Sequence, residues 1–168
     1  MSDRTGFLGL GSNVGDAAAN LRSAIDGLRS SGELEILATS SAYRTEPVGE
    51  VLDQPDFLNA AVKIETTLEP EPLLDLCKRT EVAHGRDLDA PRHSPRPVDI
   101  DLLLLGDLEV ETARLTLPHR EVLTRRFVLV PLLELEADVA LPNGTRLDAE
   151  LEALGPDQRV ERVGPLLS

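Results

Sequence analysis

The segment Val98–Leu105, closed by Gly106, constrains this chain more than any other. It has the length of a strand and is apolar throughout, apart from Asp99 and Asp101 at its start. A run of this kind reads as a strand buried on both faces. Side chains alternate along a strand, so Asp99 and Asp101 point to one side and Val98, Ile100 and Leu102 to the other. Two ionised carboxylates side by side at the mouth of a core repel each other, and burial raises the cost. A cation has to sit between or over them, either an arginine such as Arg92 or Arg96 or a divalent metal. An Asp–Arg network that only closes the strand end satisfies the electrostatics. So does a hard-cation site, in which Mg²⁺ bound by one or two carboxylates keeps positions open for substrate phosphates.

The flanking sequence favours the second arrangement. The stretch from His84 to Arg96 carries Arg86, Arg92 and Arg96 together with His84 and His93, in an otherwise acidic protein. It has no apolar periodicity and reads as a surface loop. Either it is solvated and locally salt-bridged, or it is a lid whose guanidinium groups clamp phosphate oxygens. The loop runs directly into the Asp strand, so cations and carboxylates converge. With Glu81 just upstream, this set suits transfer of a phosphoryl-type group, where catalysis is mostly positioning and charge neutralisation. Two metals, or one metal plus arginines, can bridge the phosphates of a nucleoside triphosphate. The chain has no Gly-x-x-x-x-Gly-Lys-Ser/Thr loop and no His-Arg-Asp or Asp-Phe-Gly set. Gly11-Ser12 and the Asp pair resemble the elements of polymerase-beta-type nucleotidyltransferases, but that family keeps the two close in sequence and here they are far apart.

Taken in order, Phe7–Asn13 predicts a strand entering a tight turn, and Asp16 caps a helix whose Leu21, Ile25 and Leu28 recur at helical spacing as far as Gly32. Gly9, Gly11 and Gly15 miss the dinucleotide-binding spacing by one position. Further strands are expected over Leu34–Tyr43 and Phe57–Thr66, separated by a mobile or ligand-facing loop from Glu46 to Asp56. Phe57 and Asn59 share a face; the pair can grip a flat heterocycle, or be a core aromatic beside an edge amide. Pro70 and Pro72 open a helix to about His84 with Leu73, Leu76, Cys77 and Val82 as its apolar stripe. Leu108–Val110 suggests an edge strand, Arg125-Arg126-Phe127 leads into a short helical piece to Leu135, Leu147–Leu154 suggests another helix, and the residues beyond give no signal. The order β-α-β-β-α-β through Leu105 is that of a ferredoxin-like α+β sandwich.

A chain of 168 residues fits one domain, at roughly 100–200 residues each. A net charge of −13 argues against a nucleic-acid or anionic-membrane binder, which needs a basic face. No apolar run approaches the roughly 18 residues of a membrane span. The start, Met1–Arg4, lacks signal-peptide character. The lone Cys77 sets no disulfide or metal motif and reads as a small core residue. A cytoplasmic monomer is expected.

Several blocks in order carry a family resemblance: Leu10-Gly11-Ser12-Asn13-Val14-Gly15-Asp16, Tyr43-Arg44-Thr45-Glu46-Pro47-Val48-Gly49, Gln54-Pro55-Asp56-Phe57-Leu58-Asn59-Ala60, Pro95-Arg96-Pro97-Val98-Asp99-Ile100-Asp101 and Pro118-His119. Together they resemble the 6-hydroxymethyl-7,8-dihydropterin pyrophosphokinases of folate biosynthesis. The resemblance covers about residues 6–142 and implies the core there, with an extension from about 144. It implies a ferredoxin-like fold with a mostly antiparallel sheet and three mobile loops, near 12–16, 46–56 and 84–96. It implies transfer of the terminal diphosphate of ATP to the pterin hydroxymethyl group, with release of AMP. By position, Asp99 and Asp101 would hold two Mg²⁺ ions, and Arg86 and Arg92 would be lid cations. Phe57 and Phe127 would sandwich the pterin, with Asn59 at its edge and the main chain at Thr45 and Val48 completing the slot. Arg92, Arg96, Leu102, Arg114, Thr116, His119 and Arg125 would meet ATP, with Glu81 close to the nucleotide. His93 and Ser94 stand where many members carry an aromatic residue and a glycine, and Arg120 stands at a position that is often Tyr. The altered lid motivates an alternative, a non-catalytic pterin- or nucleotide-binding module of the same fold. A plain structural domain whose Asp pair only meets arginines is a third.

Overall fold

The computed structural model describes residues 3–45, 56–83, 98–154 and 159–166. Among these, β1 (Arg4–Ser12), β2 (Glu35–Thr39), β3 (Ser41–Thr45), β4 (Phe57–Thr66), β5 (Asp99–Leu105) and β8 (Val160–Pro165) form one sheet. Its order is β5-β1-β4-β3-β8, with β2 also on β4, and every pairing is antiparallel. The helices α1 (Ala17–Ser30) and α2 (Pro70–Ala83) pack on one face, and α3 (Arg126–Leu135) and α4 (Leu147–Leu154) on the other. A two-stranded ribbon of β6 (Val110–Glu111) and β7 (Thr116–Leu117) stands beside it. This is the expected ferredoxin-like α+β sandwich, with helices on both faces.

The periodicities explain the layers. Leu21, Ile25 and Leu28 of α1 meet Leu8, Leu10, Val62, Ile64, Ile100 and Leu102 in one core. Asp16 caps α1 as expected, its Oδ1 accepting from the Ala19 N–H at 3.1 Å. In α2 the buried stripe is Leu73, Leu76, Cys77, Thr80 and Glu81, whereas Val82 is exposed. The helical spacing from Leu73 lands on Glu81 rather than on its apolar neighbour. Burial pushes the Cys77 thiol up to about 12, as suits an inert core residue.

β5 is covered on both faces, as expected, and it lies at the edge of the sheet. Its outer backbone is protected without a neighbouring strand. The Ile100 N–H donates to Glu81 Oε2 at 2.7 Å, and Leu103 C=O accepts from the His119 N–H at 2.9 Å. These contacts interrupt the ladder that an edge strand would otherwise offer a second chain. The register shifts between Phe7 and Leu8, so that Phe7 opposes Leu104 and Leu8 opposes Leu102. The bulge puts Leu103 and Leu104 in the same core cluster. Gly106 ends the strand at φ 56°, a left-handed turn that glycine takes without strain.

The single strand expected over Leu34–Tyr43 is broken at Ser40. Its Oγ accepts from the Ala61 N–H and donates to Ser41 C=O, both at 2.8 Å, replacing ladder bonds. Leu108 lies outside the ribbon that Val110 begins, and the tail adds β8 to the free side of β3.

Glu134 of α3 ties the helix to β3. It accepts from the Ser41 N–H at 2.9 Å, from Ser41 Oγ at 3.1 Å and from the Tyr43 hydroxyl. Arg162 of β8 donates to Ser41 Oγ at 3.1 Å. Burial alone would raise the Glu134 carboxyl, but the bonds from Tyr43 and Ser41 outweigh it and hold it below its ordinary 4.5. Burial, and then Glu134, push the Tyr43 phenol up to about 12. A carboxyl depressed in the folded state stabilises the protein above its unfolded value, and that contribution disappears as pH falls through the folded one. Thermal melts between pH 5 and pH 2 (roughly the range over which such a carboxyl titrates) are therefore expected to show a steeper acid decline in the wild type than in Glu134→Gln. Parallel curves would show that the network has no such linkage.

Candidate active site

The face of the sheet covered by α3 and α4 changes character along its length. At one end Phe7, Leu103 and Leu104 are closed over by Leu129 and Leu132 of α3 and Leu147 of α4. Toward the other end the same face carries Gly9, Gly11, Asp99, Asp101, Asn59 and Thr45, which the antiparallel register brings together. Small and polar side chains cannot hold a helix by hydrophobic contact, and an open cleft of about 480 Å³ lies there.

Strand order divides the cleft in two. On the inner side of β5, Thr45, Phe57 and Asn59 come from β3 and β4, and Phe127 from the first turn of α3. Asn59 is buried, and its Nδ2 donates to Thr45 Oγ1 at 2.6 Å. That bond leaves the amide oxygen and the second N–H at the cleft, beside an aromatic ring on each of two elements. On the outer side, Leu74 and Lys78 of α2 face Thr112, Arg114, Leu115 and Thr116, and Leu102 lies between them. Asp99 and Asp101 occupy the middle. Directly across the strand pair from them are Gly11 and Gly9, which have no side chain to crowd the carboxylates.

The remaining polar groups have defined partners. The His119 Nδ1 accepts from the Glu121 N–H at 3.1 Å, so the neutral ring carries its proton on Nε2. Burial lowers the His119 pKa from its ordinary 6.5, against the pull of Glu121 and Asp99, and the ring is neutral at pH 7. Arg125 pairs with Glu121 at 3.1 Å and lies 5.7 Å from the centroid of the Phe127 ring, a cation–π contact. Arg114 binds Glu71 at 2.7 Å and Asp75 at 2.6 Å, two exposed carboxylates of α2.

Of the residues singled out in the sequence, Thr45, Phe57, Asn59, Asp99, Asp101, Leu102, Arg114, Thr116, His119, Arg125 and Phe127 all line this cleft. Val48, Arg86, Arg92 and Arg96 lie outside the described residues. Glu81 does not line the cleft; it is fully buried under it, on the Ile100 N–H, with Lys78 Nζ 3.6 Å from its Oε1. Leu74, Lys78, Thr112 and Arg120 line it without having been singled out as ligand contacts. The helical spacing of Leu74, Lys78 and Glu81 put them near one another, but nothing local said which side of α2 meets a ligand.

The donor set suits a hard cation. Two carboxylates are oxygen ligands of the kind that magnesium takes. Among the described residues no group of three or more His, Cys, Asp or Glu converges. An ion held by Asp99 and Asp101 would leave positions open for water or for the phosphates of a substrate.

Fold and cleft place the chain among the ferredoxin-like α+β proteins that open an acid- and arginine-lined cleft at one end of the sheet. Residues 7–137 match the family described as 7,8-dihydro-6-hydroxymethylpterin-pyrophosphokinase (HPPK). The chain belongs to this family. It is 45% identical over 157 residues to the 2-amino-4-hydroxy-6-hydroxymethyldihydropteridine pyrophosphokinase of Methylorubrum extorquens, covering 94% of this chain and 97% of that one. The Haemophilus influenzae protein of the same name is 37% identical, with 96% and 99% covered. The mitochondrial folate synthesis bifunctional protein of Pisum sativum is 40% identical over 90% of this chain, which spans 27% of its length. Among solved structures, an HPPK-DHPS in complex with substrates superposes with a TM-score of 0.71 at 11% identity, over 91% of this chain and 43% of that one. That likeness concerns the fold. No helix among the described residues is long and apolar enough to cross a membrane.

Proposed function

We propose that this protein transfers the terminal diphosphate of ATP to the hydroxymethyl group of 6-hydroxymethyl-7,8-dihydropterin, releasing AMP, as a step of folate synthesis. Family membership and relatives of the same length support the reaction. The single observation that supports the mechanism is the strand order, which sets Asp99 and Asp101 of β5 between Phe57 and Asn59 of β4 and the outer side of the cleft with Lys78 and Arg114. The transferring group has to pass over those acids.

In this reading Phe57 and Phe127 hold the pterin between their rings, and Asn59 with the main chain at Thr45 and Val48 reads its edge. Arg114, Thr116, His119, Arg125 and Arg96 bind the nucleotide, with Leu102 against it. The hydroxymethyl oxygen bonds to the β-phosphorus as the bond from that phosphorus to the α-bridging oxygen breaks, and the hydroxyl proton passes to solvent. Neutral His119 donates through Nε2 to a phosphate oxygen, and Arg86 and Arg92 neutralise charge from the lid. Asp99 and Asp101 would hold two Mg²⁺ ions, which would supply Lewis-acid neutralisation of the phosphates. Residues 1–168 form one catalytic domain, and the pairing of β8 with β3 supports including the tail. The protein works as a cytoplasmic monomer.

Incubation with ATP and the pterin is expected to give AMP and pterin diphosphate in equal amounts, to stop with EDTA and to resume with Mg²⁺. Ligand binding without AMP release would leave the non-catalytic module instead, and AMP release that persists in EDTA would remove the metal from the scheme.

Gly11 gives a separate test of the pterin end. A Cβ there would come 2.8 Å from Asn59 Oδ1 and 3.8 Å from Phe57 Cδ1. Asn59 is held by Thr45, so the amide has to turn and break that bond. Gly11→Ala is expected to weaken pterin binding at least about tenfold, since a site that hydrogen-bonds its ligand discriminates steeply once a partner is misplaced. Calorimetry with the pterin alone measures this, and unchanged affinity would place the pterin elsewhere.

A further inference from the structure

Four cationic side chains among the described residues line the cleft, and three of them are committed to carboxylates. Arg114 holds Glu71 and Asp75, Arg125 holds Glu121, and Lys78 lies 3.6 Å from Glu81. Arg120 is the fourth. Among the described residues no carboxylate lies within ion-pair distance of its guanidinium. Its one hydrogen bond among the described residues is from Nε to Thr116 Oγ1, at 3.2 Å.

That bond engages the guanidinium at Nε and leaves the two terminal nitrogens without a carboxylate among the described residues. The planar fork is suited to two oxygens of one phosphate, which a lysine ammonium cannot match. Arg120 lines the same cleft as His119, Asp99 and Asp101. We propose that Arg120 is a nucleotide-binding residue that grips the phosphate chain of ATP through its terminal nitrogens, with Thr116 as its positioning residue. The inference rests on the pyrophosphokinase reading for the identity of the phosphate compound, and on the cleft geometry for the residue.

The test compares wild type, Arg120→Ala and Arg120→Lys by calorimetry, with a non-hydrolysable ATP analogue, with adenosine by competition and with the pterin. Losing a charge-assisted bond to phosphate is expected to weaken the analogue about 10- to 100-fold in Arg120→Ala. Arg120→Lys should recover part of that, and adenosine, the pterin and the melting temperature should be unaffected. Analogue affinity within about twofold of wild type, or an equal loss for adenosine and the analogue, overturns the proposal. An AMP-release assay on the same wild-type preparation separates the two readings. Analogue binding that depends on Arg120 without turnover refutes the pyrophosphokinase and supports the residue. Turnover with an indifferent Arg120→Ala refutes the residue and supports the enzyme.

Discussion

Replacing Asp99 or Asp101 by alanine is expected to abolish AMP release from ATP and the pterin, with a fall of at least about 10³-fold, the upper range for losing one preorganised electrostatic stabiliser. The fold should survive, because the packing of β5 is carried by Ile100, Leu102, Leu103 and Leu104, which the substitutions do not touch. Each carboxylate faces the cleft and a glycine of β1, so alanine leaves neither a core cavity nor a clash. The two variants should melt cooperatively and still bind the pterin, whose residues lie on β3, β4 and α3. Calorimetry should show that the dependence of ATP-analogue affinity on Mg²⁺ is lost. Turnover within a few-fold of wild type in either variant would reject the metal assignment, and loss of pterin binding in both would point to collapse of the cleft.

Glu81 gives the second large effect, through a different mechanism. Its buried carboxylate accepts the outward N–H of Ile100, the residue between the two acids. Glu81→Ala removes that acceptor from an edge strand and leaves a cavity beside Cys77. The two losses, an unsatisfied backbone donor and deleted core volume, are expected to cost about 2–4 kcal/mol together. Glu81→Gln keeps an oxygen acceptor of the same shape and should retain stability to within about 1 kcal/mol. Urea unfolding of the pair measures this. If Glu81 serves the nucleotide directly, Gln and Ala should instead raise the KM for ATP alike and leave stability equal.

Much of this site could be read before the fold was known, because it rests on short-range rules. The alternation that separates Asp99 and Asp101 from Ile100 and Leu102 is a property of any strand, and the same rule puts Phe57 and Asn59 on one face. Asp16 caps α1 for reasons contained within a few residues. What stayed hidden depends on distant pairing. Nothing local distinguishes a covered edge strand from a central one, so the place of β5 and the duty of Glu81 toward Ile100 emerged only with α2 packed against it. The Ser40 interruption requires Ala61 opposite. The pairing of Arg114 with Glu71 and Asp75 joins residues some forty positions apart. The helical spacing that included Val82 in the core stripe ignored the fact that a buried acid can take the neighbouring place once a backbone N–H receives it.

The strand β8 lies against β3, where Arg162 meets Ser41 across 121 positions of sequence. During translation the outer margin of β3, the strand that presents Thr45, therefore emerges long before its natural cover does. A freshly made chain carries an open seam there until its closing segment leaves the ribosome, and crowding of nascent chains should favour capture of that seam by a neighbour.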